Sequence, residues 1–312
     1  MLGPMSVPIE DYRALRKGAA TIDLSAWCVL RMTGADTREF LQGTATQDLA
    51  APAPPIDATT SWAYQTLFLN EKGRPVALAW VTIAASGSEA WVLADEGARA
   101  ALRPHFERFR IMEDVEFEGP DGTPLLIGVA GPDRAAMLSQ LDKRVPDSVA
   151  IHAEPLSFLL ARSGTISTDP SLPPFAHPDA VEAWRLAVGL PRTGVDFDTD
   201  RIATELNLPD AISSTKGCYV GQEVVARTSN RGQVRRRRVG LRFPWPGNQP
   251  APKSELRFGD SAAGFLTSAA PEPGSTFGLG MGYLTTETAG STSAVLTKGA
   301  APTPLSVQDW PL

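Results

Sequence analysis

Twice in its first half the chain runs from an apolar strand through a turn into a helix and on into further strands, and this repeated order limits the possible folds most. In the first round, Trp27 to Met32 reads as a strand. Thr33-Gly34-Ala35 turns into Asp36, an expected N-cap for a helix with Phe40 and Leu41 on one face. Thr60 to Leu69, Pro75 to Ala84 and Glu89 to Ala94 read as strands of a meander, with turns at Asn70-Glu71-Lys72-Gly73 and Ser86-Gly87-Ser88. Asp95 is an expected cap for a helix to about Phe109, and Val115 to Glu118 is a short strand. The second round opens at Leu125 with a buried strand, continues into a helix after Pro132-Asp133, and ends in strands near 148–152 and 156–162. Helices set apart from antiparallel strands make an α+β layered fold, and the two rounds predict a duplicated ferredoxin-like unit.

Further on, Asp179 is the expected cap of a helix that Gly189 ends, with Pro191 behind it. Residues 192–215 read as irregular. Val239, Leu241 and Phe243 alternate with polar residues, so 233–243 predicts a strand. The glycine-rich remainder predicts short strands in a small β-barrel or sandwich. A chain of 312 residues exceeds what one core usually serves, so the expected division is 1–232 as two interleaved α+β subdomains and 233–312 as the barrel.

The densest chemistry lies in Lys216-Gly217-Cys218-Tyr219-Val220-Gly221-Gln222-Glu223. One reading is a tight loop at a cleft; the other is a turn whose Cys218 and Tyr219 plug a local core. Cys218 is the one strong nucleophile in the motif, and a Lys216 ammonium beside it would favour the thiolate. No histidine lies near it in sequence, so a cysteine-hydrolase reading lacks its second member. Gln222 and Glu223 suit recognition of a heterocycle with both N–H donors and a carbonyl, or a hydrogen-bonded turn. The string Gln42 to Asp48 reads equally as a cleft turn or as a helix C-terminus. The run Arg235 to Arg238 reads mainly as a solvated strand face.

Cys28, Cys218, His105, His152 and His177 form no spaced cluster, so no resident metal is expected. The net charge of −6 disfavours direct nucleic-acid binding. No run of apolar residues is long enough for a membrane span, and no secretory pattern opens the chain; a cytoplasmic protein is expected.

The motif KGCYVGQE resembles the signature of the YgfZ family of folate-binding-like proteins, which are related to the aminomethyltransferase (T-protein) of the glycine cleavage system. The flanking GLPRTGVDFDTDRIATELNLPDAIS and VVARTSNRG resemble it too, and weaker likeness extends to both ends of the chain. The resemblance implies a duplicated folate-binding region followed by a C-terminal barrel. It implies tetrahydrofolate or a derivative as ligand, and iron–sulfur client proteins, tRNA-modifying enzymes among them. By resemblance Glu205 would hold the pterin; Arg227 and one of the arginines from 231 to 238 would face the glutamate tail of a folate. Tyr219, Gln222 and Glu223 would line the ligand, and Cys218 with Lys216 would carry any reaction. One departure matters. The T-proteins carry an aspartate after the glycine turn that aligns with Gly73-Arg74-Pro75-Val76, whereas this chain reads EKGRPVALAWVTI. That favours an accessory factor over a folate-dependent aminomethyltransferase or demethylase, with a ligand-free scaffold as the third reading.

Overall fold

The computed structural model describes every residue except 1–7, 52–60, 119–124, 162–171, 232–233, 246–249, 259, 290–292 and 297–302. Helix α1 (Ile9–Lys17) leads to strands β1 (Ala20–Asp23) and β2 (Cys28–Thr33), then helix α2 (Thr37–Thr44). Strands β3 (Ser61–Trp62), β4 (Tyr64–Leu69), β5 (Pro75–Ile83) and β6 (Glu89–Ala94) precede helix α3 (Arg99–Phe109) and β7 (Glu116–Glu118). Next come β8 (Leu125–Ala130), α4 (Arg134–Asp142), β9 (Ser148–His152), β10 (Leu156–Ala161) and the long helix α5 (Pro178–Val188). Helix α6 (Gln222–Arg231) precedes β11 (Arg236–Pro244), β12 (Glu255–Phe258), β13 (Ser261–Pro271) and β14 (Phe277–Thr285). A short helix α7 (Thr286–Ala289), β15 (Ser293–Leu296) and β16 (Thr303–Gln308) complete the described elements.

The strands form two five-stranded sheets and a third, cyclic set. The first sheet has the order β1-β8-β10-β9-β3 and the second β4-β5-β6-β2-β7. The run 60–69, read from sequence as one strand, is divided between them. Ser61 and Trp62 pair in parallel with β9, whereas Tyr64 onward pairs with β5. Ala63 is the crossing point, its amide donating to the His152 carbonyl at 2.8 Å. Thus β1 and β3, although they lie early in the chain, complete the sheet built mainly by 125–161. The last six strands pair in the order β11-β14-β13-β12-β15-β16, and β16 pairs back with β11, so the sheet closes on itself.

Burial on both faces explains why the strands read as continuous apolar runs. Alternation along β5 sends Leu78 and Trp80 into a central core and Ala77, Ala79 and Val81 into an outer one. The central core joins both sheets to α5 through Phe158, Leu160, Ala183 and Trp184. The outer core of the second sheet lies under α2 and α3, with Phe40, Leu41, Leu102 and Phe106. Ala270, Leu279 and Met281 of the closed sheet also enter the central core, so this sheet docks on α5. Two capping expectations change. Asp36 accepts the amide of Asp114 rather than one in its own helix, and α5 is capped by His177, whose Nδ1 accepts from the Asp179 amide. Gly189 ends α5 with φ +75°, and a Cβ there would lie 2.4 Å from the Trp310 ring.

His105 is packed beside Phe68, Phe106 and Phe109, and its Nε2 has no hydrogen-bond partner. Burial pushes its pKa down to about 4, with Glu71 opposing and Arg108 adding. An unfolded histidine titrates near 6.5, so between 6.5 and 4 the unfolded chain binds the extra proton and stability falls as pH falls. A loss of about 3 kcal/mol is expected across that window. His105→Phe should remove this acid limb in urea titrations at stepped pH; an unchanged limb would reject the assignment.

Candidate functional site

A cavity of about 800 Å3 opens where the second sheet, the end of α5, residues 207–210, β11 and the chain's last residues meet. Trp62, Tyr64 and Trp310 give it aromatic walls, while Gln47, Gln65 and Asn207 supply amides. Arg238 also lines it. Of the four consecutive arginines, Arg235, Arg236 and Arg237 are exposed and Arg238 is only 1% exposed. Its Nε donates to the Leu206 carbonyl at 2.6 Å and one terminal nitrogen donates to the Gly189 carbonyl at 2.8 Å. The guanidinium stands 4.3 Å from the Trp310 ring centroid. Among the described residues no carboxylate ion-pairs with it, and burial pulls its pKa down to about 10. A buried cation without an ion-paired carboxylate is costly, so a ligand carboxylate that reaches Arg238 itself would be favoured there, although Glu154, Asp210 and Asp309 also line the cavity.

No residue of the motif loop lines this cavity; the loop reaches it only indirectly, through the turn that its lysine holds. Lys216 is buried, and its ammonium donates to the carbonyls of Gln42 at 2.7 Å, Ala45 at 2.7 Å and Gln47 at 2.9 Å. An ammonium has three donors, so this cage uses all of them. Burial pulls the Lys216 pKa down to about 8, with the Asp48 charge opposing. The cage fixes the turn after α2, and Gln47 from that turn forms part of the cavity wall. The string Gln42 to Asp48 is therefore both the end of a helix and a turn at the cleft.

Cys218 is exposed, and no hydrogen bond joins it to Lys216. Tyr219 turns the other way and packs in the central core, where burial raises its phenol pKa. Both readings of the motif thus hold for different residues: the tyrosine plugs the core while the thiol faces out. Two glycines allow the loop to close on the turn after β4. Gly221 has φ +81° and a Cβ there would lie 2.7 Å from the Asn70 carbonyl oxygen. Gly73 has φ +67° and a Cβ there would lie 2.7 Å from Cβ of Val224.

The remaining sequence candidates lie elsewhere. Gln222 and Glu223 form the first turn of α6, and Arg227 pairs with Glu223 one turn on, both exposed. Glu205 is buried in a single helical turn, its carboxylate 3.8 Å from Arg201. That guanidinium stacks over Phe265 and Tyr283. None of these four residues is among those lining the cavity. The wall residues Trp62, Tyr64, Gln65 and Trp310 were not singled out from sequence, whereas Arg238 belongs to the arginine run read as able to offer one side chain to a folate tail. Trp62 and Tyr64 straddle a sheet change, and Trp310 is far from everything it touches in the chain. No local pattern marks such positions. The interior face of β5 offers Leu78 and Trp80, and no carboxylate. Among the described residues no three His, Cys, Asp or Glu side chains gather as a metal site.

No protein-family model matches the chain. It is similar to the mitochondrial iron–sulfur cluster assembly factor IBA57 of Mus musculus, 26% identical over 247 residues that cover 73% of this chain and 68% of that protein. It is 28% identical to the corresponding Homo sapiens protein over 244 residues, covering 72% of this chain and 66% of that protein. The matched region thus spans about two thirds of these relatives. The structure resembles the crystal structure of glycine cleavage system aminomethyltransferase T from Bartonella henselae, with a TM-score of 0.80 at 18% identity, covering 97% of this chain and 88% of that one. At that identity the likeness is one of fold. The chain is related to the YgfZ family, and its fold is that of the glycine-cleavage aminomethyltransferases.

Proposed function

We propose that this chain, a relative of the IBA57 assembly factors built on the aminomethyltransferase fold, binds tetrahydrofolate or a derivative and assists the assembly or repair of iron–sulfur clusters in client enzymes, including enzymes that modify tRNA. The cluster is cargo in this reading, and the clients are protein partners. The cavity supports the folate half. Its aromatic walls suit a flat heterocycle, its amides suit pterin donors and acceptors, and Arg238 suits a ligand carboxylate. The single observation that carries most weight is Arg238, a guanidinium buried beside open volume without a carboxylate of its own. A reduced folate would bring a one-carbon acceptor to this site. Glu205 keeps its proposed pterin role only if its carboxylate leaves Arg201 on binding.

Catalysis of aminomethyl transfer is disfavoured by β5, whose residues Pro75–Ile83 include no Asp or Glu to handle a proton. The exposed Cys218 would be accessible to a client surface instead. A cytoplasmic location is part of the proposal too, although the named relatives are mitochondrial; no helix among the described residues is long and apolar enough to cross a membrane.

The test is an anaerobic titration with tetrahydrofolate, followed by tryptophan fluorescence, with Glu205→Ala and Cys218→Ala in parallel. Saturable binding by the wild type and by Cys218→Ala is expected. Loss of binding in Glu205→Ala would return that residue to the pterin; unchanged binding would assign the ligand to the cavity walls alone. No binding by the wild type would reject the folate reading in favour of a ligand-free scaffold. Tetrahydrofolate-dependent release of ammonia or formaldehyde from an amine would favour the enzyme reading.

A further inference from the structure

A second cavity, of about 280 Å3, lies on the other side of α5 and shares only Leu190 with the larger one. Its walls include three indoles. Trp80 and Trp184 are 1% and 3% exposed, and Trp27 is half-buried, its ring 5.5 Å from that of Trp80 at a tilt of 34°. Ile22, Leu24 and Leu156 complete an apolar floor.

The charges around this small space do not balance. Asp23, Asp95 and Glu182 line it, as do Arg185 and Arg192. Both arginines are committed. Arg185 pairs with Glu182 at 2.7 Å and with Asp196 at 2.6 Å, and Arg192 reaches Glu182 at 3.3 Å. Asp196 therefore offsets one guanidinium from behind the wall. Asp95 accepts from the backbone amides of Thr193 at 2.8 Å and Ala98 at 3.2 Å, and Asp23 accepts from the amide of Ser25 at 2.9 Å. Among the described residues no ion pair reaches either carboxylate. Burial raises the Asp95 pKa against those amides, which marks the cost of holding its charge without a counter-ion.

We propose that this cavity is a binding site for a small organic cation, an alkyl or quaternary ammonium. The indole faces would receive its apolar, positively charged groups, and Asp95 and Asp23 would supply the missing counter-charge. A neutral apolar guest would use the walls but leave the carboxylates unpaired. An anion would meet two uncompensated negative charges. The site stands independently of the folate reading, because the two cavities have only Leu190 in common.

The test uses choline and its neutral carbon isostere, 3,3-dimethylbutan-1-ol, titrated calorimetrically into the full chain. Choline should saturate the protein, and the alcohol should bind at least about tenfold more weakly, the scale of a desolvated cation–π contact with a carboxylate nearby. Trp27→Leu and Asp23→Asn should each weaken choline about tenfold with the tetrahydrofolate titration unchanged, and Asp23→Asn should also keep the melting temperature. Asp23 is exposed, so its substitution does not threaten the core. Equal binding of the alcohol, an unchanged choline affinity in Asp23→Asn, or no saturation by choline up to about 20 mM would each overturn the proposal.

Discussion

Asp196→Ala should destabilise the protein by about 4 kcal/mol, the scale of removing one partner from a buried ion pair. The Asp196 side chain has no exposed surface, and its carboxylate is the meeting point of three elements. One oxygen takes the Arg185 guanidinium at 2.6 Å and the Arg192 amide at 2.9 Å. The other accepts from the hydroxyls of Thr267 and Ser268, both at 2.6 Å. Burial alone would raise this carboxyl's pKa, but the Arg185 guanidinium and the two hydroxyls hold it below the usual range. Its contribution is therefore present above the unfolded aspartate pKa of about 3.9 and is lost as pH falls below it. In Asp196→Ala, Arg185 keeps its charge with only Glu182 opposite, and β13 loses its polar tie to α5. The urea midpoint would fall steeply, and proteolysis should begin near the α5–β13 contact. The double variant Arg185→Met/Asp196→Leu should recover most of the loss, since it leaves no buried charge unpaired. A single-variant loss under about 1 kcal/mol would show that the pair does not hold the closed sheet to the helix.

Lys216→Met should cost about 3 kcal/mol and should loosen one region first. The substitution keeps the length of the stem but leaves the buried Ala45 carbonyl and the part-buried Gln42 and Gln47 carbonyls without their donor. The turn they belong to also receives the Ser213 amide at the Thr46 carbonyl, and the Gly43 carbonyl receives the Val220 amide. Hydrogen exchange at Ser213 and Val220 should therefore accelerate well beyond that in β8 and β10. Tetrahydrofolate affinity should drop with it, because Gln47 is a wall of the larger cavity. Unchanged exchange at those two amides would show that the turn holds its shape without the lysine.

The lysine illustrates how motif and function separate. A dense motif was legible, and Lys216 and Cys218 were the natural pair within it. The structure turns the ammonium inward to three carbonyls and leaves the thiol outside. Two residues apart, Lys216 and Cys218 would share a face in a fully extended segment; the chain bends at Lys216, and the packing of α2 against the loop determines which way is in. The arginine run gives the same lesson. Four identical side chains carry no signal that distinguishes them, yet one is fully buried because its place in β11 faces the end of α5.

By itself the sequence determined most of the order of helices and strands, though not β1 or helix α6, together with the α+β class and the glycines of the motif loop. These follow from period, capping and turn chemistry, which act over a few neighbouring residues. It also excluded a carboxylate on the inner face of β5, because that is a statement about which residues are present. Tertiary structure alone decided that 60–69 would divide between two sheets, that Trp310 would stand beside Trp62 and Tyr64, and that Asp196 would tie α5 to β13. Each of those depends on contacts between residues far apart in the chain, whose partners no local pattern names.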